Sequence, residues 1–280
     1  MPYLTKHHTA RGPRWALDGR PLAEDFQLGR LLALPAADSP GFLRASAGGD
    51  AADGALLAPL DAASEVWAAG VTYLRSRVAR EAESTVKDVY AKVYDAERPE
   101  LFFKAPGWRV AGSGMPIRVR QDSRWNVPEP ELTLVINSRG EIAGFCAGND
   151  VSSRDIEGAN PLYLPQAKVY NGSCALGPGI SLCGVEVLRD LSIELVVRRA
   201  GRPIFSGATR TSQLKRPLRE LVDYLRRELD FPHGVLLMTG TGIVPPDDFS
   251  LAPGDDVRIV IGDLTLENEV GPSTRLGTGP

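Results

Sequence analysis

Three carboxylates in the middle of the chain have the types and spacing for metal chemistry. Glu129 and Glu131 stand two residues apart in Val127-Pro128-Glu129-Pro130-Glu131-Leu132, and Asp150 closes the apolar stretch that follows. Side chains of an extended chain alternate between faces, so the two glutamates project together and repel unless something positive lies between them. Carboxylate-only ligation suits a hard divalent ion, Mg²⁺ foremost and Mn²⁺ or Ca²⁺ as alternatives, whereas zinc normally recruits His or Cys. Mg²⁺ keeps several waters, which leaves positions for a chelating substrate. The bland alternative is a pair of solvated glutamates at a strand start.

A hairpin must position these groups. Leu132, Leu134 and Ile136 alternate with Thr133, Val135 and Asn137, which predicts a half-buried strand. The chain turns at Ser138-Arg139-Gly140 and returns as Glu141 to Gly148, then Asn149-Asp150. A turn centred near Arg139 pairs residues whose numbers sum to roughly 278, which sets Asp150 beside Glu129 and Glu131. Upstream, residues 1 to about 44 read as short strands with a helix-like stretch from Leu22 to Leu34, and the small, polar run Ser46 to Gly54 reads as a loop or linker. Val66 to Tyr73 is a short apolar strand. It leads into Leu74 to Glu97, where Val78, Val86, Val89, Tyr90 and Val93 recur at helical spacing and predict one or two helices. Downstream, Ser212 to Leu229 reads as an amphipathic core helix with Thr211 or Ser212 as N-cap. Val257 to Ile261, Gly262-Asp263 and Leu264 to Val270 form a hairpin, and Gly271 to Pro280 a loose tail.

An ordered set of motifs now carries a resemblance. Pro128-Glu129-Pro130-Glu131-Leu132, Gly148-Asn149-Asp150-Val151-Ser152-Ser153-Arg154-Asp155, Lys168 ahead of Gly177-Pro178, Thr239-Gly240-Thr241-Gly242-Ile243-Val244, Pro253-Gly254-Asp255 and Leu266-Glu267-Asn268-Glu269-Val270 resemble the fumarylacetoacetate hydrolase superfamily over about residues 65 to 271. The resemblance implies that Glu129, Glu131 and Asp150 are metal ligands. It also implies an α+β, β-rich fold, the family's mixed β-sandwich roll, with residues 1–60 a small N-terminal domain and linker and residues 61–280 the catalytic domain. Hydrolases of the family have a Gly-x-Asn-Tyr-x-x-His-x-x-Glu character at the strand-to-helix junction, where a His–Glu pair activates water. Here the junction reads Gly70-Val71-Thr72-Tyr73-Leu74-Arg75-Ser76, and Ser76 replaces the histidine. No other histidine readily substitutes, since the chain has only His7, His8 and His233.

The chain offers instead Arg98-Pro99-Glu100-Leu101-Phe102-Phe103-Lys104. A carboxyl buried among Leu101, Phe102 and Phe103 would favour its protonated form, as a general acid needs, although Glu100 could equally cap or pair at a strand end. Ser76, Glu100, Lys168 and the run from Asp155 to Lys168 make the chain resemble the family's 2-keto-3-deoxy-D-arabinonate dehydratase branch more closely than its hydrolases. Lys168, between a Pro-bounded loop and Gly172 to Gly179, either acts as a base over the metal site or pairs with Glu157 or Asp155. Arg154 and Asp155 read as a supporting ion pair. Ser76, Lys104 and Thr241 are expected to contact substrate, Thr241 lying in a Gly-Thr turn of a kind that often does nothing else.

Composition bounds the alternatives. With 280 residues, 43% of them apolar, the chain can bury a sizeable core. A net charge of −3 and no basic cluster argue against nucleic acid. Cys146, Cys174 and Cys183 form no C-x-x-C pair and read as free thiols in a reducing cytoplasm, and no run of apolar residues suits a signal peptide or a membrane span. There is no G-x-S-x-G, Walker A or strand-preceded G-x-G-x-x-G motif, so nucleotide, flavin and nicotinamide chemistry lack support. The expected activity is a Mg²⁺-dependent dehydratase of a 2-keto-3-deoxypentonate, a cytoplasmic homo-oligomer (dimer or tetramer) acting on a small 2-keto acid. Lys168 would remove the C3 proton and Glu100 assist loss of the C4 hydroxyl, with the two roles open to exchange. The alternatives are a hydrolase or decarboxylase of a 2,4-diketo or acylpyruvate-type acid, and a non-catalytic oxo-acid-binding paralogue.

Overall fold

Strands dominate, as the alternating runs require. In the structure, a computed structural model that describes residues 1–49, 51–83 and 92–272, they are β1 (Tyr3–Thr9), β2 (Gly12–Leu17), β3 (Arg20–Pro21), β4 (Ala55–Leu56), β5 (Glu65–Gly70), β6 (Glu100–Pro106), β7 (Asn126–Val127), β8 (Pro130–Ile136), β9 (Ile142–Asp150), β10 (Ser152–Ser153), β11 (Cys174–Leu182), β12 (Ser192–Arg199), β13 (Arg202–Arg210), β14 (Val235–Met238), β15 (Asp255–Ile261) and β16 (Leu264–Glu269). The helices are short: α1 (Leu28–Leu32), α2 (Ser39–Ala45), α3 (Leu74–Glu83), α4 (Arg154–Ala159), α5 (Leu164–Lys168) and α6 (Leu218–Leu225).

One large sheet runs β3-β2-β1-β11-β9-β8-β14-β5-β6 with β4 attached to β1, and a second sheet runs β13-β12-β15-β16. Leu132, Leu134 and Ile136 of β8 point into a core shared with Leu195, Val197 and Ile259 of the second sheet and Leu221, Val222 and Leu225 of α6. Val135, on the opposite face, joins Leu4, Trp15, Leu28 and Leu32 from the N-terminal segment. β8 is therefore buried along its whole length and not half-buried, because the N-terminal segment covers the face that alternation alone assigns to solvent. That segment enters the same sheet through β1, with Tyr3 opposite Ser181 and Leu4 opposite Ile180. Residue 60 is thus no break in the sheet.

The strand directions explain where chemistry can gather. β14 and β5 are parallel, with Leu236 opposite Val66, while β6, β8 and β9 are each antiparallel to a neighbour. The C-terminal ends of β5, β9 and β14 and the N-terminal ends of β6 and β8 consequently meet at one edge. The β8–β9 register sets Pro130 opposite Asn149 and Leu132 opposite Ala147, within one residue of the expected pairing.

The helices depart further from expectation. Only Leu28–Leu32 of the stretch from Leu22 to Leu34 is helical, and α2 was not anticipated, since its single buried residue, Leu43, gives no periodicity. The helix expected from Ser212 begins at Leu218, because the residue before a proline disfavours helical geometry and Pro217 interrupts the pattern. Thr211 caps nothing there: its Oγ1 donates to Leu188 O at 2.7 Å and accepts from Leu191 N at 2.8 Å. In the expected helical region after Tyr73, α3 and residues 92–95 are helical, Val78 is exposed, and Val86, Val89 and Tyr90 lie outside the described residues, as does most of the expected tail. Cys146 and Cys174 are buried, Cys183 is half-buried, and all three are free. Among the described residues no helix is long and apolar enough to cross a membrane.

Candidate metal and active site

At the edge where the strand ends meet, Glu129 and Glu131 approach Asp150, whose backbone N donates to Glu129 O at 2.9 Å. One carboxylate oxygen from each of the three lies within 4.8 Å of the others, and all three residues are buried. Three cations answer them. Lys168 Nζ donates to Glu129 Oε2 at 2.9 Å and Asp150 Oδ2 at 3.1 Å, Arg154 Nη2 reaches Glu129 Oε1 at 3.2 Å, and Lys104 Nζ pairs with Asp150 Oδ1. Among the described residues no cation lies within ion-pair distance of Glu131; it accepts a hydrogen bond from Gly240 N at 2.6 Å. Burial, with the charges of Asp150 and Glu129 beside it, pushes the Glu131 carboxyl well above the ordinary carboxylate range. An all-oxygen, inward-facing trio with one carboxylate disfavoured in its charged form fits a hard divalent cation, whose charge would relieve that penalty.

The cleft beside the trio is lined by Ser76, Glu100, Glu129, Glu131, Asp150, Lys168 and Thr241 together with Gly70, Phe102 and Glu157. Seven of the eight residues singled out in the sequence converge there. Glu100 begins β6 opposite Gly70, and its carboxyl lies over that glycine, where an added Cβ would come within 1.9 Å of Oε2. Ser76 enters from α3 after a tight turn in which Val71 adopts φ +53°, a strained value for a β-branched residue. Thr241 Oγ1 accepts from Ile243 N at 3.2 Å, and the preceding Gly240, at φ +90°, admits Thr72 Oγ1, which donates to Thr239 O at 2.6 Å.

The eighth residue is a correction. Lys104, expected to contact substrate, is fully buried behind the cleft. Its ammonium donates to Lys168 O and Val151 O and ion-pairs with Asp150. Lys168 is ion-paired with Glu129 and Asp150. Arg154 likewise supports Glu129, while Asp155 accepts from Ser123 Oγ and Arg124 N.

A profile described as fumarylacetoacetate (FAA) hydrolase C-terminal matches residues 65–271. The chain belongs to the fumarylacetoacetate hydrolase family. Among relatives in this family, a Haloferax volcanii protein named "Probable 2-keto-3-deoxyxylonate dehydratase" is 50% identical over 214 residues, 76% of this chain and 73% of that protein. The 2-dehydro-3-deoxy-D-arabinonate dehydratase of Saccharolobus solfataricus is 43% identical over 206 residues, 71% of this chain and 69% of that protein. A solved structure of 2-keto-3-deoxy-D-arabinonate dehydratase complexed with magnesium and 2,5-dioxopentanoate superposes with TM-score 0.82 at 35% identity, covering 96% of this chain and 98% of that one. Ser76 lines the cleft, and none of the three histidines does.

Sequence reasoning weighed Glu157 only as a partner for Lys168, yet it is buried and lines the cleft. The signal available was its spacing: in a helix begun at Arg154, residues three apart share a face, so Glu157 must turn toward the site that Arg154 enters.

Proposed function

We propose that this chain is a metal-dependent hydro-lyase that converts a 2-keto-3-deoxypentonate to 2,5-dioxopentanoate, the semialdehyde of 2-oxoglutarate. The observation that carries the reading is the gathering of Glu100, Lys168 and the three carboxylates around one cleft in which a serine replaces the hydrolytic histidine. The dehydratase relatives support the reaction class, and the 2,5-dioxopentanoate of the related complex supports the size of the substrate.

Held by Glu129, Glu131 and Asp150, a divalent ion would supply Lewis acidity toward a chelating 2-keto acid and positive charge beside Lys168. Lys168 takes the proton from C3 of the substrate. Glu100 gives a proton to the C4 hydroxyl, the C4–O bond breaks, and water leaves. Phe102, whose ring centroid lies 5.9 Å from Lys168 Nζ, keeps that side of the base dry. Ser76 and Thr241 offer hydroxyls to the substrate's polar groups, while Lys104 and Arg154 hold Asp150 and Glu129 in place. We also propose a cytoplasmic homo-oligomer, for which the buried free thiols Cys146 and Cys174 and the exposed apolar Leu162 and Trp108 are support.

The test incubates metal-stripped and Mg²⁺-reconstituted protein with 2-keto-3-deoxypentonates and 2,4-diketo acids, with products identified by mass. Metal-dependent loss of one water from a pentonate is expected. Cleavage of a diketo acid into two fragments would replace this reading with the hydrolase.

A further inference from the structure

Loss of water does not by itself reach the dioxo product. Eliminating the C4 hydroxyl of a 2-keto-3-deoxypentonate leaves 5-hydroxy-2-oxopent-3-enoate, with a C3–C4 double bond and an intact C5 alcohol. To become 2,5-dioxopentanoate, this enone must lose protons from C5 and O5 and gain protons at C3 and C4. The C5 alcohol is oxidised to an aldehyde while the double bond is saturated, so the redox change is internal and needs no co-reactant. It does need a base near C5, at the end of the substrate remote from the 2-keto carboxylate. Lys168, paired with Glu129 and Asp150, is held at the carboxylate trio, and Glu100 is committed to the leaving hydroxyl.

The cleft contains one more carboxyl. Glu157 projects from α4, is 4% exposed, and lines the cleft together with Ser76 of α3 and Leu164 and Lys168 of α5, the residues contributed by the helices and not by the strand ends. Its Oε2 accepts a hydrogen bond from Ser152 Oγ at 3.0 Å. That bond holds the carboxyl at the cleft wall. α4 also packs against α3, so the wall that bears Glu157 is continuous with the one that bears Ser76.

Resting on the dehydratase reading, we propose that Glu157 is a second catalytic carboxylate that drives the isomerisation following water loss. It removes a proton from C5; the C5–H pair forms a C4–C5 double bond, the C3–C4 π pair moves to C2–C3 and the C2 carbonyl π pair moves onto its oxygen, and protonation at C3 restores the C2 carbonyl. The remaining enol takes a proton at C4 and releases the one on O5, giving the aldehyde. The structure thus divides the labour, elimination belonging to Lys168 and Glu100 and isomerisation to Glu157.

Glu157→Gln keeps the acceptor for Ser152 and removes the base. Incubated with Mg²⁺ and a 2-keto-3-deoxypentonate, this variant is expected to lose water but to release 5-hydroxy-2-oxopent-3-enoate, with dioxopentanoate formation slowed by about 10²-fold. Glu157→Asp, which retains a displaced carboxyl, should release a mixture of both products. Deuteration at C5 should slow dioxopentanoate formation, and not water loss, in the wild-type protein. Wild-type proportions of dioxopentanoate from either variant would overturn the proposal, as would equal loss of both stages in Glu157→Gln with an unchanged thermal melt. Wild-type protein that removes no water from any pentonate would instead overturn the dehydratase reading beneath it.

Discussion

Each side chain at the trio has a separable duty. Lys104 never meets the cleft, and truncating it leaves Asp150 buried without its ammonium. We predict that Lys104→Met costs about 3–5 kcal/mol of stability, the range for breaking a buried ion pair by removing one partner, measured by denaturant titration of the metal-free protein. Asp150→Asn and Glu129→Gln should each abolish Mg²⁺-dependent turnover and weaken Mg²⁺ binding in calorimetry; full activity in either would remove the metal assignment. Gly70 acts through space it does not fill. Gly70→Ala would drive a methyl into the Glu100 carboxyl, and the expected outcome is turnover reduced by about 10²-fold or more with the melting temperature little changed. Type and spacing made the carboxylates legible in the sequence, and the resemblance to the family brought out Ser76, Glu100, Lys168 and Thr241. What the sequence concealed was depth: Lys104 and Glu100 stand at opposite ends of the same apolar run, and only the burial of β6 shows that one faces the cleft while the other supports it from behind.

At the scale of elements, the β8–β9 hairpin is fixed at both ends by different means. Asp150 and Glu129 meet at the site, whereas at the turn Asn137 Oδ1 accepts from Arg139 N at 3.0 Å and Glu141 N at 2.8 Å, and its Nδ2 donates to Leu34 O at 3.0 Å. The two ends are about 26 Å apart along the strand. Asn137→Ala is therefore predicted to cost about 1–3 kcal/mol of stability with unchanged Mg²⁺ affinity, checked by denaturant titration and calorimetry on one preparation. The alternation of Leu132, Leu134 and Ile136 and the Arg139 turn sufficed to place this hairpin within one residue. The helices were less legible because their lengths answer to packing: α6 begins only after Pro217, later than the expected helix, and α2 has too few buried residues to register as a period.

Across the whole molecule, burial controls how the fold responds to pH. Cys183 is pushed up to about 11, Cys174 to about 12 and Tyr3 to about 12, each chiefly by desolvation. Folded, these groups keep their protons to higher pH than they do in the unfolded chain, so above about pH 9 the unfolded state releases protons first. Stability present at neutral pH is expected to fall as pH rises from about 9 to 12, read as a declining denaturant midpoint; a flat profile would contradict the burial. Mg²⁺ should act in the opposite sense, stabilising the native state by about 2.7 kcal/mol at a hundred times its dissociation constant. The pairing of residue 3 with residue 181 across β1 and β11 also sets a schedule for biosynthesis. At ordinary ribosomal speeds β1 waits roughly 10 to 30 s for its partner strand to be made, an interval in which its edge is open to chaperones. The carboxylates emerge by residue 150, but Gly240, which hydrogen-bonds Glu131, is made much later. The nascent chain therefore carries the three carboxylates long before it carries the cleft around them.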